Sequence, residues 1–156
     1  MTDRDLGAAK AALHTLAQQQ ITQLTIGQAV GVGVDIELIS DINISNPTFI
    51  ERNFTPQEQA YCRSRPNAHA SFAGKWCAKE AVIKAVSSLH TDRPRVWVQG
   101  AAAPLVDIEI RMGESGAPEV VFHGDARDAA MKAGVREVRV SISHIDEFAI
   151  ATAVSK

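Results

Sequence analysis

Residues 68–88 read Ala-His-Ala-Ser-Phe-Ala-Gly-Lys-Trp-Cys-Ala-Lys-Glu-Ala-Val-Ile-Lys-Ala-Val-Ser-Ser, a run without proline that predicts one long helix. At about 100° per residue, Phe72, Trp76 and Ile83 fall together as an apolar stripe. Glu80 and Lys84 stand one turn apart, about 40° from each other around the axis, beside the small residues Ala73, Cys77 and Ala81. A carboxylate and an ammonium flanked by small side chains suit close approach by a ligand or by another backbone. The competing reading is a surface ion pair between Glu80 and Lys84, worth about 0.3–0.5 kcal/mol. Lys75 and Lys79 lie on the other side of the stripe.

Upstream, residues 29–39 (Ala-Val-Gly-Val-Gly-Val-Asp-Ile-Glu-Leu-Ile) read as a strand. Alternation puts Val30, Val32, Val34, Ile36 and Leu38 on one face and Gly31, Gly33, Asp35, Glu37 and Ile39 on the other. Glycines on a strand face leave room for something to approach its backbone. Between strand and long helix, Thr48–Phe54 reads as a short helical turn. Thr55-Pro56-Gln57-Glu58 opens a helix with a threonine cap, a proline at the first position and an acid in the first turn; it runs to about Ser64. Downstream, 90–104 reads as a loop with a short strand at Val96–Val98. Strands follow at Val106–Met112 and Glu119–His123, then a helix at Asp125–Ala133 closed by Gly134. The last strands, Val138–Ser143 and Phe148–Val154, flank the turn Ser143-His144-Ile145-Asp146-Glu147. Residues 5–20 read as a further helix, within an N-terminal arm or linker spanning 1–28. The class expected is α+β: one domain, a mostly antiparallel sheet packed against the long helix.

Composition narrows the function. The 156 residues fit one domain and carry a formal charge of −2, with 46% hydrophobic and 22% charged residues. A phosphate-backbone binder needs a basic surplus, and 5% aromatics make a poor stacking platform, so no nucleic-acid partner is expected. No run of about 18 apolar residues exists, so no membrane span is expected, and no apolar signal-like core follows Met1. Cys62 and Cys77 are too few for a disulfide framework and read as reduced thiols of a cytoplasmic protein.

Four local features carry possible chemistry. Asp35 and Glu37, two apart on one strand face, can both reach one hard cation such as Mg²⁺; the alternative is a pair of solvated acids. Glu80 and Lys84 are the second. Ser141-Ile142-Ser143-His144 at a strand end is the third, better suited to hydrogen bonding or phosphate contact than to nucleophilic catalysis, since no nucleophile elbow surrounds it. Arg63, Arg65, Lys75, Lys79 and Lys84 are the fourth, either a clamp for a phosphorylated ligand or a solvated face. Gly31-Val32-Gly33 lacks the third glycine of a dinucleotide loop, and His14, His69, His90 and His123 share no ligand spacing.

In combination, Gly33-Val34-Asp35-Ile36-Glu37, Trp76-Cys77-Ala78-Lys79-Glu80-Ala81-Val82-Ile83-Lys84-Ala85 and Ser141-Ile142-Ser143-His144 resemble the 4′-phosphopantetheinyl transferase superfamily, in its small holo-acyl-carrier-protein-synthase form. Phe49–Glu58 and Ser71–Trp76 look like the transferase domain at the C-terminal end of the fungal type I fatty acid synthase α subunit. The resemblance covers about 30–154, within a transferase domain placed at 29–156. It implies Mg²⁺-dependent transfer of the 4′-phosphopantetheine arm of coenzyme A to a serine of an acyl carrier protein or carrier domain, releasing 3′,5′-ADP. It implies a homotrimer with sites between subunits. By the same resemblance Asp35 and Glu80 bind the metal, with Glu37 and His144 as further candidates. Glu80 is the favoured base, Asp35 its rival, and Lys84 and Lys79 hold phosphate charge. Ile36, Tyr61, Ser71, Arg111, Ile142, Ser143 and His144 match coenzyme A-contacting positions, and Arg52, Arg63 or Arg65 supply charge for docking an acidic carrier. The alternative is an inactive coenzyme A- or carrier-binding domain, or a structural domain of a large synthase.

Overall fold

In the computed structural model, which describes residues 3–24, 30–89 and 105–156, the chain runs α1 (Asp3–Leu24), β1 (Gly31–Leu38), α2 (Pro47–Asn53), α3 (Pro56–Arg63), α4 (Ala68–Ser88), β2 (Ile108–Met112), β3 (Pro118–Phe122), α5 (Gly124–Lys132), β4 (Val138–Ile145) and β5 (Phe148–Ser155). The strands form one antiparallel sheet in the order β1-β5-β4-β3-β2. The expected α+β class and antiparallel sheet are observed. The strand expected at Val96–Val98 lies outside the described residues.

Small side chains decide how α4 meets the sheet. On β1, Gly31 and Gly33 face α4 so closely that an added Cβ would stand 2.0 Å from Ala85 O and 2.0 Å from Ala81 O. The neighbouring strand continues that surface with Ala149, Ala151, Ala153 and Ser155, paired with Glu37, Asp35, Gly33 and Gly31. The helix answers with Ala73, Cys77, Ala81 and Ala85, all fully buried. The room left by the glycines is thus filled by the chain's own helix backbone. From Gly74, whose added Cβ would meet Ile142, α4 passes over Ala149 at Cys77 and reaches β1 at Ala81 and Ala85. The aromatic stripe packs on the opposite side, where Phe54 meets Phe72 edge-on at 5.0 Å and Phe49 lies 5.2 Å from Trp76.

Local signals explain the helix starts. Asn46 caps α2, and Thr55 with Glu58 forms the full capping box of α3. Asn67 caps α4. Some boundaries differ from expectation: α1 extends beyond 5–20, β2 begins at Ile108 after a 3-10 turn at Leu105–Asp107, and β4 continues through His144 to Ile145, leaving a two-residue turn in which Asp146 takes φ of 46°. Pairing with β5 outweighs the polar, turn-like composition of Ser143–Glu147.

The other face of the sheet is apolar along β1 and turns polar toward β4 and β3, where Ser141, Ser143, Arg139 and Glu119 lie. Val32, Val34 and Ile36 are buried where α1 packs along β1, while Val154 and Ile145 on that face are exposed. As an edge strand, β1 has several of its free backbone groups bonded by side chains. Ser88 Oγ takes the Val32 N–H at 2.8 Å and donates to Val32 O at 2.9 Å, and Lys84 Nζ donates to Val34 O at 3.0 Å. No helix among the described residues is long and apolar enough to cross a membrane.

Candidate active site

One residue past Gly33 on the helix-facing side, β1 presents Asp35, and α4 presents Lys84 and Glu80 to it. Lys84 Nζ donates to Asp35 Oδ1 at 2.8 Å as well as to Val34 O. The surface pair of Glu80 with Lys84 weighed from spacing is therefore replaced by a strand-to-helix pair. Asp35 is buried, and its Oδ2 accepts no hydrogen bond among the described residues. The neighbouring Cys77 Sγ lies 3.4 Å from Ala149 O; burial, then the Asp35 charge and a hydrogen bond with the Asp35 side chain, push its pKa up. A buried, unpartnered carboxylate oxygen carries a desolvation cost that a cation would relieve.

Glu80 is half-buried one turn before Lys84. Burial, then the Asp35 charge and the Glu37 charge, hold its carboxyl above the ordinary value of 4.5, against the opposing pull of Lys84. Three carboxylates thus share this flank of α4. Glu37, next on the same strand face, is ion-paired to Lys10 of α1. His14 of the same helix places Nε2 3.1 Å from Val34 O and 3.3 Å from Lys84 Nζ. The described residues hold no cluster of three His, Cys, Asp or Glu ready to bind a metal. Asp35 and Glu80 fit a hard cation that keeps waters and substrate oxygens in its shell.

The opposite flank of α4 holds a second hollow of about 420 Å³, walled by Tyr61, Arg65, Ser71, Lys75, Ile142 and His144 among others. Glu37, Ala149 and His144 lie in one row across β1, β5 and β4. At about 4.8 Å per strand this sets Glu37 and His144 roughly 10 Å apart, with α4 crossing between them at Cys77. The structure therefore divides the expected residues into two groups. Asp35, Ile36, Glu37 and Lys84 border a hollow under α1, Glu80 stands on that flank, and Tyr61, Ser71, Ile142 and His144 border the other hollow. Within one chain His144 does not join the carboxylates as a metal ligand.

Three further expectations are corrected by what the side chains touch. Lys79 is fully buried, and its three N–H groups go to Glu58 Oε2 at 2.7 Å, Leu105 O at 3.0 Å and Asn53 O. It ties α4 to α2 and α3 and has no donor left for phosphate. Ser143 sits one step from His144 on β4 and so faces the other side of the sheet. Arg111 is engaged by the carboxylate of Glu109, with Nη2 at 2.7 Å, and borders neither hollow. The supposed basic cluster also dissolves, because Lys75 is buried with Nζ bonded to Ile110 O and 4.8 Å over the Tyr61 ring.

The sequence reading missed Lys10 and His14, which it left inside an uninformative arm. Their spacing of four places them on one helix face, and that signal was available. It named Lys75 among the cations of a clamp but not as a wall of the second hollow, since periodicity gives a side of a helix but not what lies across from it.

Comparison with known proteins gives the family and the fold. The family model described as the 4′-phosphopantetheinyl transferase superfamily matches residues 31–153. The fatty acid synthase subunit alpha of Schizosaccharomyces pombe is 51% identical over 141 residues, covering 90% of this chain. That of Saccharomyces cerevisiae is 54% identical over 125 residues, covering 80% of this chain. The chain spans only 7% and 6% of those two proteins. Among solved structures, the Chronobacterium ammoniagenes ACPS–CoA complex superposes with a TM-score of 0.73 at 28% identity, over 83% of this chain and 98% of that one. The Helicobacter pylori holo-[acyl-carrier-protein] synthase in complex with coenzyme A gives 0.62 at 25%, over 80% and 99%. The fold is that of the holo-acyl-carrier-protein synthases.

Proposed function

The chain belongs to the 4′-phosphopantetheinyl transferase superfamily, and from that membership we propose that it moves the 4′-phosphopantetheine arm of coenzyme A onto a serine of an acyl carrier protein or carrier domain, in a Mg²⁺-dependent reaction that releases 3′,5′-ADP. The relatives point to a carrier domain of fatty acid synthesis, and residues 29–156 are the transferase domain. The serine Oγ forms a bond to the phosphorus that bears the pantetheine. The bond from that phosphorus to the bridging oxygen breaks, and 3′,5′-ADP leaves with the electron pair.

The observation that carries this reading is the buried, unpartnered Oδ2 of Asp35 beside Glu80, whose carboxyl is pushed up. Asp35 and Glu80 would hold the Mg²⁺, with Glu37 next to them; the ion supplies neutralisation of charge on the pyrophosphate oxygens. Glu80 accepts the serine proton. Lys84 fixes Asp35 and brings positive charge to the phosphate side. Tyr61, Ser71, Ile142 and His144 form the coenzyme A wall of the second hollow.

We place these two half-sites together through a homotrimer, in which one copy supplies the carboxylate flank and a neighbour the flank with the second hollow. The separation of the two groups by α4 and the exposed Ile145 and Val154 on the outer sheet face support this. Arg52, Arg63 and Arg65 are exposed and suit docking of an acidic carrier. The two free, buried cysteines suit a reducing cytoplasm. The test is a Mg²⁺ titration of 3′,5′-ADP release by the wild type and Asp35→Ala. The variant should need at least about tenfold more Mg²⁺, the scale of one lost metal-site partner; superimposed titrations refute the metal role of Asp35.

A further inference from the structure

Helix α1 reaches the carboxylate flank with a cation of its own. Lys10 is ion-paired to Glu37, and Gly7, Ala11, His14 and Thr15 wall the hollow that Asp35, Glu37 and Lys84 complete. Two of the carboxylates on this flank already carry ammonium partners: Lys84 faces Asp35 and Lys10 faces Glu37. A divalent cation added there makes the two ammonium groups excess positive charge, and the less anchored one yields.

Lys10 is the less anchored. Lys84 holds two β1 acceptors, Asp35 Oδ1 and Val34 O, whereas among the described residues Lys10 bonds Glu37 alone. Along the described part of the helix that carries Lys10, Leu13 is 46% and Leu16 57% exposed. The cover of α1 over Val32, Val34 and Ile36 opposes full release, so a cation loosens the Lys10 contact rather than detaching the helix.

We propose that α1 is an internal competitor of the divalent cation: Lys10 occupies on Glu37 the positive charge that the cation brings, and cation binding loosens α1 from the edge of β1. This rests on the metal reading above. Linkage makes the effect reciprocal, so weakening the hold of α1 tightens the cation. Couplings run about 5–150-fold, and a partly exposed pair belongs near the low end.

The test is calorimetric titration of the full chain and its Lys10→Met variant with Mn²⁺, together with hydrogen exchange of residues 3–24 with and without Mg²⁺. The variant should bind Mn²⁺ about fivefold more tightly, and exchange of α1 in the wild type should speed up on adding Mg²⁺. Equal or weaker Mn²⁺ binding by the variant, or α1 exchange that is unchanged or slowed, overturns the inference alone. No Mn²⁺ binding by either protein overturns the inference and the metal reading with it.

Discussion

Glu80 concentrates the account at the scale of one residue. Its folded pKa is raised, chiefly by burial and then by the Asp35 and Glu37 charges. The folded chain therefore holds a proton on Glu80 that the unfolded chain has released, once pH exceeds the ordinary 4.5. Stability is lost as pH rises from there through the folded pKa. Glu80→Gln should flatten that part of the stability–pH curve, read by urea unfolding across the window, and should cut carrier modification by at least about 100-fold. A variant that keeps the slope, or keeps the turnover, contradicts the assignment. Much at this scale was readable beforehand. Asp35, Glu37, Glu80 and Lys84 are short-range patterns on a strand and a helix, and they do meet on one flank. Lys79 was misread because its partners Asn53, Glu58 and Leu105 come from three other segments, and one helix's periodicity carries no record of them. Lys79→Met should leave Glu58 buried without its counter-charge and cost about 3–5 kcal/mol, measured by urea unfolding. The KM for coenzyme A of the folded protein should not move; a raised KM with intact stability would return Lys79 to the phosphate.

Between elements, the decisive contact is α4 over the glycines of β1. Gly33→Ala forces a methyl to 2.0 Å from the Ala81 carbonyl, where no flexible side chain can yield. The expected loss is at least about 3 kcal/mol, the upper end for overpacked cores, and it should appear as a lower urea midpoint. Gly7→Ala, in α1 with nothing within 4 Å of the added methyl, should instead gain up to about 1 kcal/mol of helix stability. Loss at Gly7 with none at Gly33 would refute the packing described. The capping box at Thr55–Glu58 was legible because every part of it lies within four residues. The end of β4 was not, since Ser143-His144-Ile145-Asp146-Glu147 has the composition of a turn, and pairing with Phe148 and Ala149 keeps Ile145 and His144 in the strand.

For the whole molecule, α4 stands between two hollows of one chain, one walled by Asp35 and Lys84 and the other by Tyr61 and His144, which the proposed transfer reads as two half-sites. A trimer that joins them predicts a sedimentation mass three times that of the chain at working concentration; a monomer that is fully active would contradict shared sites. The sequence motifs identified both halves but not the helix that parts them, because the row from Glu37 to His144 exists only once β5 is inserted between β1 and β4. The central claim is the transfer itself. Its most direct measurement is the intact mass of an apo carrier protein incubated with this chain, Mg²⁺ and coenzyme A. The account predicts a gain of one phosphopantetheine on the carrier serine, matched by 3′,5′-ADP released; an unchanged mass across several carriers, a fatty acid synthase carrier domain among them, would contradict it.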